Sequence, residues 1–230
     1  MIHGNALSLL NFSGDNIADR FETFLDSIMD CIGQEGSILI PSFTYSAANG
    51  EVFDPSVSLP KVGGFANLAF HSNRFERTVD PMFSWLVLGK AEQRLTSTPF
   101  TNAFGDNSSF AIIEQLKPKV VMLGVPLSKG FTYVHRLEEK YKVDYRFHKK
   151  FRSIVKVNGV EYEGDYTYFV RELKDEYKCD LSGIESELME EGIITSVMLR
   201  TNVSIIDCAL FEDFIRRNIR SKQNMLIRKK

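Results

Sequence analysis

Short apolar runs alternate with amphipathic stretches through the first two thirds of this 230-residue chain. The runs at residues 37–41 and 120–123 are too short for helices and are rich in β-branched residues, so each predicts a buried strand. Between residues 17 and 32, apolar residues recur at helical spacing after Ser13 and Asp15, either of which can cap a helix. The alternation therefore predicts an α/β fold in which helices flank a central mixed sheet.

A small antiparallel β-hairpin lobe is predicted at about residues 145–170. Asn158 and Gly159 can adopt the positive φ angles of a tight turn, and they separate two runs rich in β-branched and aromatic residues. At this length, a single domain over residues 1–230 accommodates all the elements. The other predicted elements are helices at 110–116, at 181–191 and from residue 210 onward, with strands at 193–199 and 203–206.

Charge and apolar content exclude several classes of protein. The 28 Lys and Arg residues against 30 Asp and Glu give a net charge of −2, which argues against a general nucleic-acid binder. No apolar run approaches the roughly 20 residues that span a bilayer, so we expect no membrane insertion and a cytoplasmic protein. The cysteines Cys31, Cys179 and Cys208 have no paired spacing and are expected to be reduced.

Residues 215–230 form a basic tail that contains no acidic residue. Such a tail could steer anionic phosphates toward the protein. A solvated helix face followed by a frayed end is the commoner structure for a terminus of this kind, and we favour it.

His135 is the histidine best placed for chemistry. It follows the second predicted strand at the start of a helix, and Glu138 lies three residues later, so both side chains share one helix face. A carboxylate there can orient the imidazole and raise its basicity, as a general base requires. Spacing alone is weak support, because helix surfaces carry such pairs by chance. His71 fits a solvated or capping ring, and His148 fits either a phosphate contact or an exposed strand face.

Motifs of other chemistries are missing from the sequence. It has no nucleophile elbow, phosphate-binding loop, dinucleotide-binding turn or HExxH zinc motif. No group of Asp, Glu, His and Cys residues has the spacing of a zinc site. We therefore expect no metal, although the sequence leaves a magnesium site open.

Several short segments match, in chain order, the segments of one acetyltransferase family. The most specific runs from residue 123 to residue 138 and contains the pattern T-x-x-H-x-x-E with His135. The chain thus resembles the aminoglycoside 3-N-acetyltransferase family over about residues 1–155. The hairpin near Tyr145, Arg146 and Phe147 resembles the branch associated with surface-polysaccharide synthesis. The other matching segments are residues 40–46, 53–55, 60–63, 77–84 and 104–108.

The resemblance implies transfer of an acetyl group from acetyl-CoA to an amine on a sugar, through a ternary complex with His135 as the base. The acceptor ammonium must lose a proton before or as it attacks the thioester carbonyl, and His135 is suited to take it. Glu138 would hold the ring and favour its protonated form. Thr44, Ser84 and Thr132 are candidates to stabilise the negative charge that develops on the carbonyl oxygen.

Residues in the strand-end loops are the expected ligand contacts. For the loop residues, turn formation and helix capping are the alternative, and for Tyr133 and Tyr145 the alternative is core packing or solvation. We expect acetyl-CoA to contact His3, Gly4, Asn5, Ala6, Ser42, Phe43, Thr44, Ser84, Gly105, Ser108 and Thr132. We expect the acceptor to contact Tyr45, Asp80, Tyr133, Tyr145 and Arg146.

The acceptor is the least constrained part of this prediction. A nucleotide-linked amino sugar for a surface glycan is the leading hypothesis. An aminoglycoside is an alternative, although Asp80-Pro81 replaces the family's usual His-Pro and the chain has no dense acidic loop for a polycation. The other alternative is a non-catalytic protein that binds CoA or a sugar nucleotide. The expected partners are small molecules, with a homodimer as the one protein assembly considered.

Overall fold

The computed structural model of the protein describes residues 1–172, 177–219 and 225–229. The strands within these residues are β1 (Ile2–Gly4), β2 (Ser37–Pro41), β3 (Val52–Phe53), β4 (Glu76–Arg77), β5 (Trp85–Gly89), β6 (Lys119–Leu123), β7 (Arg146–Val157), β8 (Val160–Arg171), β9 (Tyr177–Cys179), β10 (Ile194–Met198), β11 (Asn202–Asp207) and β12 (Ile227–Lys229). The α-helices of the same residues are α1 (Ile17–Ile32), α2 (Ser46–Asn49), α3 (Gly64–His71), α4 (Glu92–Thr96), α5 (Ser109–Gln115), α6 (Leu127–Gly130), α7 (Val134–Lys140), α8 (Glu185–Glu190) and α9 (Cys208–Asn218). A 3-10 helix spans Ala6–Asn11.

The strands form several sheets, of which two are mixed. In the four-stranded mixed sheet β1 is parallel to β6, and β6 and β10 are both antiparallel to β11. A second sheet pairs β5 antiparallel with β2 and β4, and a third places β3 parallel to β7 and β8 antiparallel to β7. Strands β9 and β12 form an antiparallel ribbon. The predicted α/β class is confirmed, but the strands are divided among sheets because β2 pairs with β5 and not with β1.

Helix α1 is amphipathic, as predicted, but its cap differs from the prediction. Asn16 caps it, because the side-chain oxygen of Asn16 accepts hydrogen bonds from two backbone N–H groups of the first turn. Ser13 and Asp15 lie ahead of this cap. The buried face of α1 packs Phe24 against Phe65 of α3, with ring centroids 5.7 Å apart.

The largest apolar cluster joins β2, β5, β6, α5, α7 and α9. At its centre the fully buried Trp85 ring contacts Phe43 after β2 and Phe110 of α5, with centroids 5.4 Å and 5.3 Å away. The segment after β2 and the start of α7 are therefore held by one core, which fixes the loops at these strand ends relative to each other.

The predicted hairpin lobe at about residues 145–170 is confirmed, with strands that lie between residues 146 and 171. Strands β7 and β8 have 12 residues each and pair from Arg146↔Arg171 to Val157↔Val160. Asn158 and Gly159 form the turn with φ angles of 51° and 81°, as predicted.

In the C-terminal third, β11 and β10 complete the four-stranded sheet. Strand β11 lies next to β6, and β10 lies next to β11. The predicted helix at 181–191 is shorter, as α8, and the last helix begins at Cys208, because Asp207 caps it. Of the predicted basic tail, residues 220–224 and 230 lie outside the described residues. Like every other helix in the described part of the chain, α9 lacks the length and apolar character needed to cross a membrane.

Candidate active site

The loop between β6 and α7 positions the candidate site. Gly124 turns the chain after β6 with a φ of 68°, a value that favours glycine. A Cβ at Gly124 would lie 2.3 Å from Ser8 Oγ, so a larger residue would displace its neighbours. Val134 and Leu137 are buried and anchor α7 in the core. His135 lies between them in sequence and keeps 20% of its side chain exposed.

His135 and Glu138 are in direct contact. His135 Nδ1 lies 2.5 Å from Glu138 Oε2, and the Tyr145 hydroxyl donates to Glu138 Oε1 at 2.9 Å. The Glu138 carboxylate is completely buried, so both of its oxygens are fixed by protein groups. The i, i+3 spacing thus placed the two side chains together, while the role of His135 as general base stays a prediction.

Arg146, at the start of β7, joins this pair. Its Nε lies 2.8 Å from Glu138 Oε2, without hydrogen-bond alignment, and its Nη2 lies 2.9 Å from His135 Nδ1. Burial and the Arg146 charge lower the pKa of His135, against the raising effect of Glu138. Burial acts to raise the pKa of Glu138, but His135 and Arg146 bring it below its usual value. At neutral pH the site therefore combines a neutral imidazole with an ionised carboxylate.

A cavity of about 820 Å³ opens beside His135, and we call it the hairpin cavity. Side chains alternate along a strand, so Phe147, Lys149 and Phe151 of β7 share the face that borders this cavity. The register pairs Phe147 with Val170 and Lys149 with Tyr168, which extends the same face onto β8. The other lining residues are Arg146, Arg171, Glu172 and Cys179.

The hairpin cavity carries more positive than negative charge. Lys149 and Arg171 line it, and in the described ranges neither forms an ion pair with an acid. Lys149 Nζ instead lies 4.9 Å from the centre of the Phe151 ring. Glu172 is the acidic residue of the lining, while Glu138 is buried behind His135. Sequence reasoning missed these residues, although the alternating positions 147, 149 and 151 carried the signal.

A second, narrower cavity of about 140 Å³ lies at the ends of β1 and β2, and we call it the strand-end cavity. Four residues predicted to contact acetyl-CoA line it, namely His3, Gly4, Phe43 and Thr132. Tyr45, predicted as an acceptor contact, lines this cavity and not the hairpin cavity. The structure thus brings together residues from three separate loops of the sequence.

His3 is a buried polar residue on the wall of the strand-end cavity. Its Nε2 has no hydrogen-bond partner within the described part of the chain. Burial lowers the pKa of His3 to about 3, so the ring is neutral at physiological pH. Buried polar atoms are nearly always hydrogen-bonded in native proteins. An unpaired ring nitrogen bordering a cavity is therefore suited to a polar group of a ligand.

One turn of chain borders both cavities. Thr132 lines the strand-end cavity and His135 lines the hairpin cavity. The two residues are linked by a 3.1 Å hydrogen bond, in which the His135 backbone N–H donates to the Thr132 carbonyl. The candidate base thus lies three residues along the chain from the lining of the strand-end cavity.

The structure gives Ser42 and Ser84 a role other than the predicted acetyl-CoA contact. Both are completely buried, and their hydroxyl oxygens lie 3.1 Å apart. Arg77 donates from Nε to Ser42 Oγ at 3.0 Å and from Nη2 to the Ser42 carbonyl at 2.6 Å. Burial lowers the pKa of Arg77, which sequence reasoning did not single out, to about 10. The two serines therefore satisfy a buried cation and line neither cavity.

Thr44 and Asp80 are also directed into the protein. The Thr44 hydroxyl is buried and accepts a hydrogen bond from the Ser46 hydroxyl. Asp80 Oδ1 accepts from two backbone N–H groups of its own turn and from the Tyr166 hydroxyl at 2.8 Å. Burial raises the pKa of Asp80 to about 6. The carboxylate predicted to contact the acceptor is instead the cap of a buried turn.

Four other predicted acetyl-CoA contacts cap or begin local structure. Ser108 caps α5, and Gly105 closes the preceding turn with its N–H 2.6 Å from the Asn102 side-chain oxygen. Asn5 caps the 3-10 helix, and Ala6 begins that helix. None of these four residues lines either cavity.

The predicted acceptor contacts are dispersed. Tyr133 is buried in the core beside Phe131, and Tyr145 uses its hydroxyl on Glu138. Core packing was the alternative to acceptor contact for both tyrosines, and the structure shows both packed in the core. Of the five predicted acceptor contacts, Arg146 lines the hairpin cavity.

Cys179 brings a third metal-ligating atom to His135 and Glu138. The three ligand atoms lie within 4.8 Å of one another, a proximity hidden from the sequence because Cys179 comes from β9. The Arg146 guanidinium lies against two of these ligands and opposes a cation. Burial also raises the pKa of the Cys179 thiol to about 12, whereas zinc binds a thiolate. As arranged, the three residues do not fit a metal ion.

Comparisons with known proteins agree on one family. The family model described as Aminoglycoside 3-N-acetyltransferase matches residues 1–219. No curated protein matches the chain significantly.

Solved structures of low sequence identity have the same fold. Aminoglycoside acetyltransferase AAC(3)-Xa matches with a TM-score of 0.77 at 19% identity, over 98% of this chain and 86% of its own. AAC-IIIb, solved as a binary complex with CoASH, matches with a TM-score of 0.74 at 18% identity, over 94% of this chain and 89% of its own. The YokD protein from Bacillus subtilis matches with a TM-score of 0.72 at 14% identity, over 94% of this chain and 84% of its own.

Proposed function

The chain belongs to the aminoglycoside 3-N-acetyltransferase family, and from this premise we propose that it acetylates the amine of a nucleotide-linked amino sugar with His135 as general base. Membership makes the chain an N-acetyltransferase with acetyl-CoA as co-substrate, and it disfavours the binding-only alternative. The observation that carries the finer proposal is the positively charged hairpin cavity beside the buried His135–Glu138 pair.

The base role follows from the state of the His135 ring. Acetyl-CoA supplies an acetyl thioester, and the acceptor amine must be deprotonated to attack it. Because Glu138 holds Nδ1, the Nε2 lone pair is left for the acceptor proton. The pKa of His135 lies below its usual value, so the ring is free of a second proton at neutral pH. A neutral, oriented imidazole is the form that general-base catalysis requires.

The strand-end cavity is the proposed path of the pantetheine arm. A pantetheine arm is narrow and carries amide groups, and the cavity is small with the unpaired His3 Nε2 in its wall. Gly4 keeps this wall close to Phe65, because a Cβ at Gly4 would lie 2.6 Å from the Phe65 ring. An arm in this position would present the thioester near Thr132, on the same turn as His135.

The hairpin cavity is the proposed acceptor site. Lys149 and Arg171 offer two cationic groups that pair with no acid among the residues the structure describes, and phosphate groups form strong charge-assisted hydrogen bonds with such side chains. Phe147 keeps 45% of its surface exposed beside them and can stack on a flat base. A polycationic aminoglycoside would meet repulsion from the same cations. A sugar joined to a nucleotide therefore suits this lining better.

Thiol release from acetyl-CoA tests the acceptor class. The acceptors are a nucleotide-linked amino sugar, the same amino sugar without the nucleotide, and an aminoglycoside. We expect kcat/KM for the nucleotide-linked sugar to exceed that for the free sugar by about tenfold or more, the effect of one charge-assisted hydrogen bond. Preference for the aminoglycoside, or equal use of both sugars, would contradict the proposal.

Variants of the hairpin separate charge recognition from general effects. Lys149→Gln and Arg171→Gln should each raise KM for the nucleotide-linked sugar on the order of tenfold and leave KM for the free sugar unchanged. Lys150→Gln is the matched control, because Lys150 is the next residue along β7 and pairs with Asp165 at 3.0 Å, outside the cavity. A similar effect of Lys150→Gln would point to the overall charge of the hairpin.

A further inference from the structure

Two contacts at His135 Nδ1 make opposite demands on that atom. Glu138 Oε2 at 2.5 Å requires Nδ1 to carry a hydrogen, because an ionised carboxylate can only accept. Arg146 Nη2 at 2.9 Å requires Nδ1 to offer a lone pair, because a guanidinium can only donate. One nitrogen cannot satisfy both, so one of the two contacts is not a hydrogen bond.

The shorter contact decides which atom carries the hydrogen. The carboxylate has an acceptor oxygen at 2.5 Å, and the pKa of Glu138 is below its usual value, so this oxygen is ionised. Nδ1 therefore donates to Glu138, and the Arg146 charge faces an N–H group. That position of the guanidinium is more unfavourable to a positively charged ring than to an uncharged one.

The charged groups around the ring come from three elements. Glu138 faces it from α7, Arg146 from β7 and Arg171 from β8. The other titratable neighbours, Tyr168 of β8 and Cys179 of β9, have raised pKa values because they are buried, and both are neutral at physiological pH. Among the described residues, two cations and one carboxylate thus face the candidate base.

The Arg146 guanidinium is buried and held inside the protein. Its side chain is 6% exposed, and Nη1 donates to the Phe169 carbonyl at 3.0 Å. Nε and Nη2 are directed at Glu138 and His135. A side chain that is fixed in this way has little freedom to follow a phosphate group, so the predicted role of Arg146 in acceptor binding is replaced by one within the site.

We propose that Arg146 is a positioning residue for acetyl transfer, which neutralises the buried Glu138 and prevents His135 from acquiring a second proton. Without it, Glu138 and the ring would form a buried ion pair, and an imidazolium has no lone pair for the acceptor ammonium. Glu138 thus determines the tautomer of the His135 ring, and Arg146 keeps this ring uncharged. This role rests on the proposed general-base function of His135.

Titration of the His135 ring by NMR tests the proposal directly. In Arg146→Gln the ring pKa should rise on the order of one unit or more relative to the unsubstituted protein. Arg146→Lys keeps a charge but cannot contact both Glu138 and His135. In this variant the pKa of the His135 ring should therefore lie between those in Arg146→Gln and in the unsubstituted protein. The ring of His71, which is exposed on α3, serves as the internal reference. If His135 titrates at the same pH in Arg146→Gln and in the unsubstituted protein, the proposal is overturned; where Arg146→Gln fails to fold, Arg146→Met, which also lacks the charge, provides the same test.

The pH profile of kcat/KM provides the second readout. The acid limb should move to higher pH in Arg146→Gln by the same amount as the ring pKa, so activity at pH 6 falls more than activity at pH 8. A purely structural role would lower activity equally at every pH and leave the limb in place. If the unsubstituted protein shows no acetyl transfer, the proposed function fails, but the ring titration still decides the role of Arg146.

Discussion

The Glu138 carboxylate illustrates how single residues determine this site. It is completely buried and is approached by the His135 ring, the Tyr145 hydroxyl and the Arg146 guanidinium. A buried carboxylate without partners would be strongly unfavourable or would become protonated. The partners keep it ionised, and the ionised carboxylate fixes the ring so that Nε2 is free. A change in one of these residues is therefore expected to affect both the reaction and the stability of the protein around the site.

His135→Ala is expected to remove the base and keep the co-substrate site. We expect kcat to fall by about 10²–10⁴-fold, the usual contribution of general-base catalysis. Binding of CoA should persist, because His135 does not line the strand-end cavity. Thiol release and calorimetric titration with CoA measure the two effects. His71→Ala is the control, and unchanged turnover in His135→Ala would assign the base elsewhere.

Ser42→Ala distinguishes a structural hydroxyl from a cofactor contact. The Ser42 hydroxyl accepts from Nε of the buried Arg77 and contacts Ser84, so its loss leaves this guanidinium donor with the longer 3.2 Å hydrogen bond to Ser84 Oγ alone. We expect the free energy of unfolding to fall by about 1–3 kcal/mol, while KM for acetyl-CoA stays unchanged. Urea unfolding and steady-state kinetics provide the two measurements. A raised KM without loss of stability would restore the predicted cofactor contact.

At the scale of elements, the turns and helices that depend on local interactions were predicted from local sequence patterns. The Asn158-Gly159 turn and the α1 helix follow from turn chemistry and helical spacing, and both are present. The division of the strands into several sheets was not predictable, because the pairing of β2 with β5 depends on residues 44 positions apart or more. The extent of the hairpin was predicted at about residues 145–170, because its strands follow directly on either side of this turn.

Gly159→Ala tests how much the hairpin depends on its turn. Gly159 has a φ of 81°, a region that costs a residue with a Cβ about 1–2 kcal/mol, although no atom lies within 4 Å of an added Cβ. Gly164→Ala is the matched control, since it is also uncrowded but has no positive φ. We expect Gly159→Ala to lower the free energy of unfolding by this amount and Gly164→Ala to leave it unchanged or slightly higher. Equal effects would exclude backbone strain as the cause.

In the site, as in the fold, residues brought together from distant elements could not be predicted from the sequence. His135 and Glu138 were found because one helix carries both at i, i+3. Arg171 and Cys179 reach the same cavity from β8 and β9, and no sequence spacing connects them to α7. Ser42 and Asp80 were predicted as contacts because strand-end loops commonly bind ligands, but side-chain direction in a loop depends on tertiary packing. Burial of both side chains was therefore not accessible from the sequence.

At the scale of the whole molecule, buried ionisable groups couple stability to pH. His3 has a pKa of about 3 in the folded protein against an ordinary 6.5, so between these values the unfolded chain binds one more proton. The burial that lowers the pKa of His135 acts in the same direction. Asp80 acts in the opposite direction between 3.8 and about 6, where the folded protein binds the extra proton. The two histidines outweigh the one aspartate, so the protein should lose stability as the pH falls below 6.5.

Urea unfolding at a series of pH values measures this loss, and His3→Leu isolates its main source. For each pH unit below 6.5, His3 alone should remove about 1.4 kcal/mol from the free energy of unfolding until the pH approaches 3. His3→Leu removes this titration, and its Nε2 has no partner in the described residues that the change would strand. The slope of stability against pH should therefore flatten in His3→Leu and persist in His71→Gln, whose ring is exposed. Equal slopes in both variants would mean that other groups, His135 first among them, carry the acid sensitivity.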